Sequence, residues 1–350
     1  MNPVQPATSG EPGRIDDPTG FIPPPKRVFT LSDVFLDGDG LRAIWGIVLF
    51  LLLREVLGYC VVPLLQAFFP PPANRDGLIA APWTFVFEGG NLLCLATATW
   101  LMARIEQRPV AVYGFGPKRG ARNFLAGTAW GVALLSLLVF ALHAGGLLVF
   151  DARLLFGRGV LRYGFIWFAG FLLVGLSEEV FLRGYLQFTA TRCLSGLYRW
   201  LFHTPHADVL GFWTAAAILS FVFGFGHSSN GGESPLGLIA AGLVGLVFCL
   251  SLWRTGSLWW AIGFHAAWDW AQSFLYGVPD SGLVVRGRLF ATHPVGRPFL
   301  SGGLTGPEGS IYILPAVVLI AVVIVVTLRQ THSGYSPCDA SKQSAALDLA

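Results

Sequence analysis

Charge is what this chain has least of. Only 12% of its 350 residues are Asp, Glu, Lys or Arg, against about 25% in a soluble domain. That shortage excludes an ordinary water-solvated globule. The formal net charge of +3 is too small to hold a polyanion, so no nucleic-acid partner is expected. Cysteine is scarce too: Cys60, Cys94, Cys193, Cys249 and Cys338 form no CxxC pair. This excludes a disulfide framework and a zinc knuckle, and leaves the usage of small buried hydrophobes. Residues 1–30 are polar and Pro-rich, without the short apolar core of a cleavable signal.

What is abundant is apolar. Hydrophobic residues make up 54% of the chain, the mean hydropathy is +0.61, and the 43 Gly suit helices that approach closely in lipid. Crossing about 30 Å of hydrocarbon takes roughly 20 apolar residues. Eight runs qualify: 42–66, 83–104, 123–150, 163–190, 209–229, 235–253, 257–276 and 310–328. The expected fold class is therefore all-α, a polytopic transmembrane helical bundle of about eight helices over 41–329. Disordered cytoplasmic tails are expected at 1–40 and 330–350. The stretch 192–208, with its Arg, Tyr and Trp, is expected to lie along the interface.

Basic residues orient the bundle. The tails and alternate connections carry fourteen, among them Arg14, Lys26, Arg27, Arg104, Arg108, Lys118, Arg119 and Arg122; the other side carries seven, among them Arg75, Arg153, Arg158 and Arg286. Both termini are expected to be cytoplasmic, in a multi-pass protein of a bacterial plasma membrane.

Ionisable groups inside a span cost a few kcal/mol each and need a reason. Arg54, Glu55 and Glu88 stand alone and read as structural pairing. The fourth span reads GLSEEVFLRGY. Glu179 and Arg183 are placed at i,i+4 with the acid first, a favourable ion pair, while Glu178, rotated by about 100°, faces elsewhere. One Arg neutralises one acid, and the second is left for a cavity. Phe223 and His227 share a face of the fifth span, and His265 and Asp269 share one of the seventh. Singly, each is as well explained as helix-to-helix bonding. Three such pairs on three spans point to a site.

At these residues the sequence resembles the CPBP family, which holds the C-a-a-X proteases of prenylated proteins and the bacterial bacteriocin-processing (Abi) and immunity relatives. The family pattern EExxxR, FxxxH and HxxxN or HxxxD stands here as EEVFLR (178–183), FGFGH (223–227) and HAAWD (265–269). The resemblance covers a core of about 160–276. It implies an intramembrane endopeptidase with a polar cavity among the motif helices, reached from the cytosolic side in eukaryotic and archaeal relatives. By that similarity Glu178 would activate a water, His227 would hold it, and His265 with Asp269 would stabilise the oxyanion. An ionised Asp cannot donate to an oxyanion, so Asp269 is assigned to orienting His265 by accepting its other ring N–H. Glu179, Arg183 and Phe223 would support the site.

No cofactor is expected, since the carboxylate and imidazoles suffice for acid–base work. The alternative is a zinc-dependent metalloprotease with Glu178, His227 and His265 as ligands, although no HExxH is present. Two readings from other classes also stand. An ion-coupled transporter predicts inverted repeats, which are not visible, and a non-catalytic scaffold predicts that Glu178 is replaceable. Membrane lipid and a hydrophobic or membrane-anchored peptide or protein substrate are the expected partners. Glu308, in the polar loop 277–309, reads as a solvated acid. One geometric tension remains: a fifth span entering near 209 would put His227 about 27 Å from that face, deeper than Glu178.

Overall fold

A backbone in hydrocarbon has no water to bond to, so each apolar run satisfies its amides and carbonyls internally, as a helix does. The computed structural model describes residues 36–37, 40–70, 77–116 and 119–330. All eight apolar runs are helical: α1 Ala43–Phe68, α2 Ala81–Ile105, α3 Gly120–Ala144, α4 Arg158–Glu179 continuing into α5 Gln187–Phe202, α6 Ala207–Gly226, α7 Pro235–Thr255, α8 Trp259–Trp270, and, after a four-residue α9 at Pro298–Ser301, α10 Ile313–Thr327. Six are long and apolar enough to cross a membrane. The run through α8 and the shorter α10 complete the all-α polytopic bundle. The tails expected at 1–40 and 330–350 lie outside the described residues, apart from a short hairpin of β1 (Leu36–Asp37) with β2 (Gly40–Leu41) and residue 330.

The stretch 192–208 is not a separate element: residues 192–202 belong to α5 and 207–208 open α6. Val180–Leu186 is a π-helical turn joining α4 to α5, so one helical run extends over Arg158–Phe202, 45 residues, or about 67 Å at 1.5 Å per residue. This removes the tension over depth. The chain runs well past Glu178 before it turns, and the 20 residues of α6 bring it back about 30 Å. His227 thereby reaches the cavity that Glu178 lines.

The connections sort into two sets. On one side Leu258 N–H donates to the Gly114 carbonyl at 3.0 Å, joining 106–116 to 256–258. On the other side β3 (Leu78–Ile79) pairs in parallel with β5 (Val284–Val285), and β4 (Leu148–Arg153) pairs antiparallel with β6 (Phe290–Pro294). Thr305 Oγ1 also donates to the Gly232 carbonyl at 3.0 Å. Residues 77–80 and the connections 145–157, 227–234 and 277–312 therefore share the face away from the start of α1 and the end of α10.

Packing fixes α8, which carries HAAWD. It lies against α3 with backbones in near contact: a Cβ on Gly127 would collide with the Trp260 carbonyl, and one on Gly263 with the Phe124 carbonyl. Small residues at such crossings let dispersion contacts and shape, rather than a hydrophobic force, hold helices together in lipid.

Candidate active site

Glu178 and Glu179 end α4, where the regular helix gives way to the π turn, a deformation often found at functional sites. The two acids have different surroundings. Glu179 is fully buried, and its Oε1 accepts from Arg183 Nη1 at 3.1 Å and from His265 Nδ1 at 3.0 Å. The Glu178 side chain is 34% exposed, and its Oε2 has no hydrogen-bond partner.

His265 stands between them. With Nδ1 given to Glu179, its Nε2 faces Glu178 Oε2 at 3.6 Å and Asp269 Oδ2 at 3.5 Å. Asp269 is therefore not the acceptor of the ring N–H: Glu179 is, because it is fully buried and at hydrogen-bonding distance. His227 occupies the short 3-10 turn after α6, where its Nδ1 lies 2.8 Å from the Phe223 carbonyl. A carbonyl only accepts, so Nδ1 carries the proton, and Nε2 of the neutral ring is an acceptor.

Phe223 links the groups. The Arg183 guanidinium lies 4.3 Å from its ring centroid, His227 meets it edge-on at 4.8 Å, and the His265 ring lies 6.2 Å away. The benzene ring holds the cation on one side through its quadrupole. It also walls the buried Glu179–Arg183 pair off from His227. Room for Arg183 comes from Gly245 of α7, where a Cβ would strike the guanidinium.

Glu178, Phe223, His227, His265 and Asp269 line one cavity of about 490 Å³. A second crevice of about 380 Å³, bounded by Arg54 and Asn91 of α1 and α2, is also lined by Glu178 and His227. Those two groups thus stand where the spaces meet. Arg54 itself is paired with Glu55 and lies over the Phe181 ring at 5.1 Å.

Sequence reasoning missed part of the wall. Glu88, read as a structural charge, lines the larger cavity, as do Asp280 and Glu308. Glu308 is not a solvated loop acid: its Oε1 accepts from Trp268 Nε1 at 2.8 Å and its Oε2 from the Ser281 hydroxyl at 3.4 Å. Asp280 accepts from the Ser273 hydroxyl at 3.1 Å. Burial pushes the Asp280 carboxyl well above the usual range, and the neighbouring Asp269 and Glu308 push it further. Burial raises Glu308 as well, against the pull of the Trp268 N–H. For Glu88 the signal was present, since an intramembrane carboxylate is functional by default. For the loop acids there was none.

The donors a zinc ion would use, Glu178, His227 and His265, are not gathered for one. Among the described residues no three His, Cys, Asp or Glu side chains are arranged to hold a metal ion.

Neither the curated proteins nor the solved structures yielded a match. Residues 159–271, about a third of the chain and holding all three motifs, are similar to the family described as Rce1-like type II CAAX prenyl endopeptidase, a match consistent with the CPBP resemblance.

Proposed function

We propose that the chain is an intramembrane endopeptidase in which Glu178 activates the attacking water. The observation that carries the reading is the asymmetry of the acid pair. Each acid has an Oε2 without a hydrogen-bond partner, but Glu179 is fully buried and held through Oε1 by Arg183 and His265, whereas Glu178 is 34% exposed, has no arginine partner and lines a cavity shared with two imidazoles.

The chemistry follows from what each group can give or take. Water bound between Glu178 and the acceptor Nε2 of His227 loses a proton to the carboxylate as its oxygen attacks the scissile carbonyl carbon. The C=O pair moves to oxygen, and protonated His265 Nε2 donates to that oxyanion. Collapse expels the amine, which takes the proton held by Glu178, and the products are a carboxylic acid and an amine. Glu179 fixes the His265 ring, and Asp269 stabilises its positive charge at 3.5 Å. The substrate is a hydrophobic or membrane-anchored peptide, drawn from lipid into an aromatic-lined space.

The excess of basic residues supports cytoplasmic termini in a bacterial plasma membrane. The loop-lined side of the cavity, formed by Ile79, Asp280, Leu283 and Glu308, then faces away from the cytoplasm. Cytoplasmic termini and cytosolic access through that wall cannot both hold.

The test is cleavage of a quenched peptide library by the purified full-length protein, wild type against Glu178→Gln, each with and without a chelator. Activity that is lost in the variant and kept under chelation is the expected result. Activity surviving Glu178→Gln sinks the mechanism. Activity lost to chelation and restored by added zinc moves the assignment to a metalloprotease.

A further inference from the structure

Hydrolysis at Glu178 leaves most of the larger cavity unused. Carboxylates of Glu88, Asp269, Asp280 and Glu308 line it in addition to Glu178, and no Lys or Arg does. Two of these acids are held in place, Asp280 by Ser273 and Glu308 by Trp268 and Ser281. The loop that bears them is firmly packed: a Cβ on Gly306 would collide with the Pro279 carbonyl. Asp269 supplies a separate observation. Its side chain is only 9% exposed, it lines the cavity, and it makes no hydrogen bond: its cationic neighbour, His265 Nε2, lies at 3.5 Å, beyond an ordinary hydrogen bond, and its other charged neighbours are carboxylates. A nine-tenths buried carboxylate without a hydrogen bond is costly, and this one borders the cavity. The acids are not arranged for a metal ion, but a longer organic cation can span them, with its methylenes against Trp83 and Phe264 of the same wall.

We propose that this chamber is a substrate subsite for a cationic side chain, lysine or arginine, flanking the scissile bond and received by Asp269, Asp280 and Glu308. The assignment rests on the endopeptidase reading and narrows it to hydrophobic peptides carrying a basic residue. An anionic residue at the same place is rejected, because it would meet carboxylates with only imidazoles to offset them.

The experiment uses full-length protein in nanodiscs and three fluorescent peptides identical except at one position beside the scissile bond: lysine, norleucine or glutamate. Binding is measured on Glu178→Gln by anisotropy, and cleavage on wild type. Binding reads the subsite even if no hydrolysis occurs, which keeps failure of the subsite distinct from failure of the protease reading. The expected result is a lysine-over-norleucine preference of about tenfold or more, the size of one charge-assisted hydrogen bond, with glutamate weakest. In Asp280→Asn/Glu308→Gln the lysine-to-norleucine ratio falls towards one. Charge-preserving Glu308→Asp retains a preference. A ratio of one or less with the wild-type acids present overturns the proposal even if the double variant does not fold. So does a ratio that survives in a folded double variant.

Discussion

Two carboxylate sites, one at the α2–α3 connection and one where α4 gives way to the π turn, show what burial does and does not signify. Glu106, just past α2, has a side chain 2% exposed and is surrounded by donors. It accepts from the Tyr185 and Tyr113 hydroxyls, and Arg108 and Arg192 lie at 3.6 and 3.8 Å. It borders neither of the two cavities described above. This is a clasp holding the α2–α3 connection against the long helical run. The Glu178–Glu179 pair begins the same way, with Glu179 clamped between Arg183 and His265. It then adds a second acid that the clamp does not need, and that acid faces the cavity. A desolvated charge clamped by its counter-ions is structure. A charge left over beside them is where chemistry can occur.

The sharpest way to break this comparison is Glu178→Gln, which keeps the shape and removes the base. The expected loss in kcat is about 10²- to 10⁴-fold with the thermal melt unchanged, and wild-type turnover would erase the distinction between the two acids. Next is Arg183→Leu, which strands Glu179 without its cation. A loss of about 3–5 kcal/mol in unfolding free energy is expected for one broken buried pair, read from denaturation in detergent, with activity falling because His265 loses its fixed partner. Glu106→Gln is expected to cost about 1–3 kcal/mol of stability while kcat at saturating peptide stays at the wild-type value. A large kcat effect there would mean that the clasp and the site are coupled.

The smallest effect is in pH. Asp280 and Glu308 have raised pKa values from burial, so both are neutral at low pH and gain charge as pH rises. Asp269, Glu233, His227 and His265 are the charged or titratable groups that act on them. Lysine-peptide affinity should therefore rise several-fold from about pH 6 to about pH 8.5, with norleucine affinity flat. A parallel rise for both peptides would assign the change to the site as a whole.

How much of this could be read in the chain depends on the range of the force involved. The eight helical runs were legible because lipid compels each apolar segment to bond to itself. The motif pairs were legible because i,i+4 spacing is local. The continuation of α4 into α5 was not: 192–208 carries the Arg, Tyr and Trp of an interfacial segment, yet Gln187–Phe202 follows the π turn without a break and packs against α6. The partner of His265 was misjudged for a similar reason. Asp269 is the neighbour along the helix, whereas Glu179 is 86 residues away in sequence, and sequence spacing cannot weigh one against the other.

The sequence by itself determined the membrane bundle, the three polar pairs and the excess of one acid over one arginine, because hydrophobic length and helical periodicity act within a segment. The tertiary structure decided which acid is buried and clamped by Arg183, which nitrogen of His227 and of His265 is held, and that Glu88, Asp280 and Glu308 share the cavity with Glu178. Those outcomes depend on how closely helices approach, at Gly127, Gly263 and Gly245, and on how the loops fold over the open end. No local pattern carries that information.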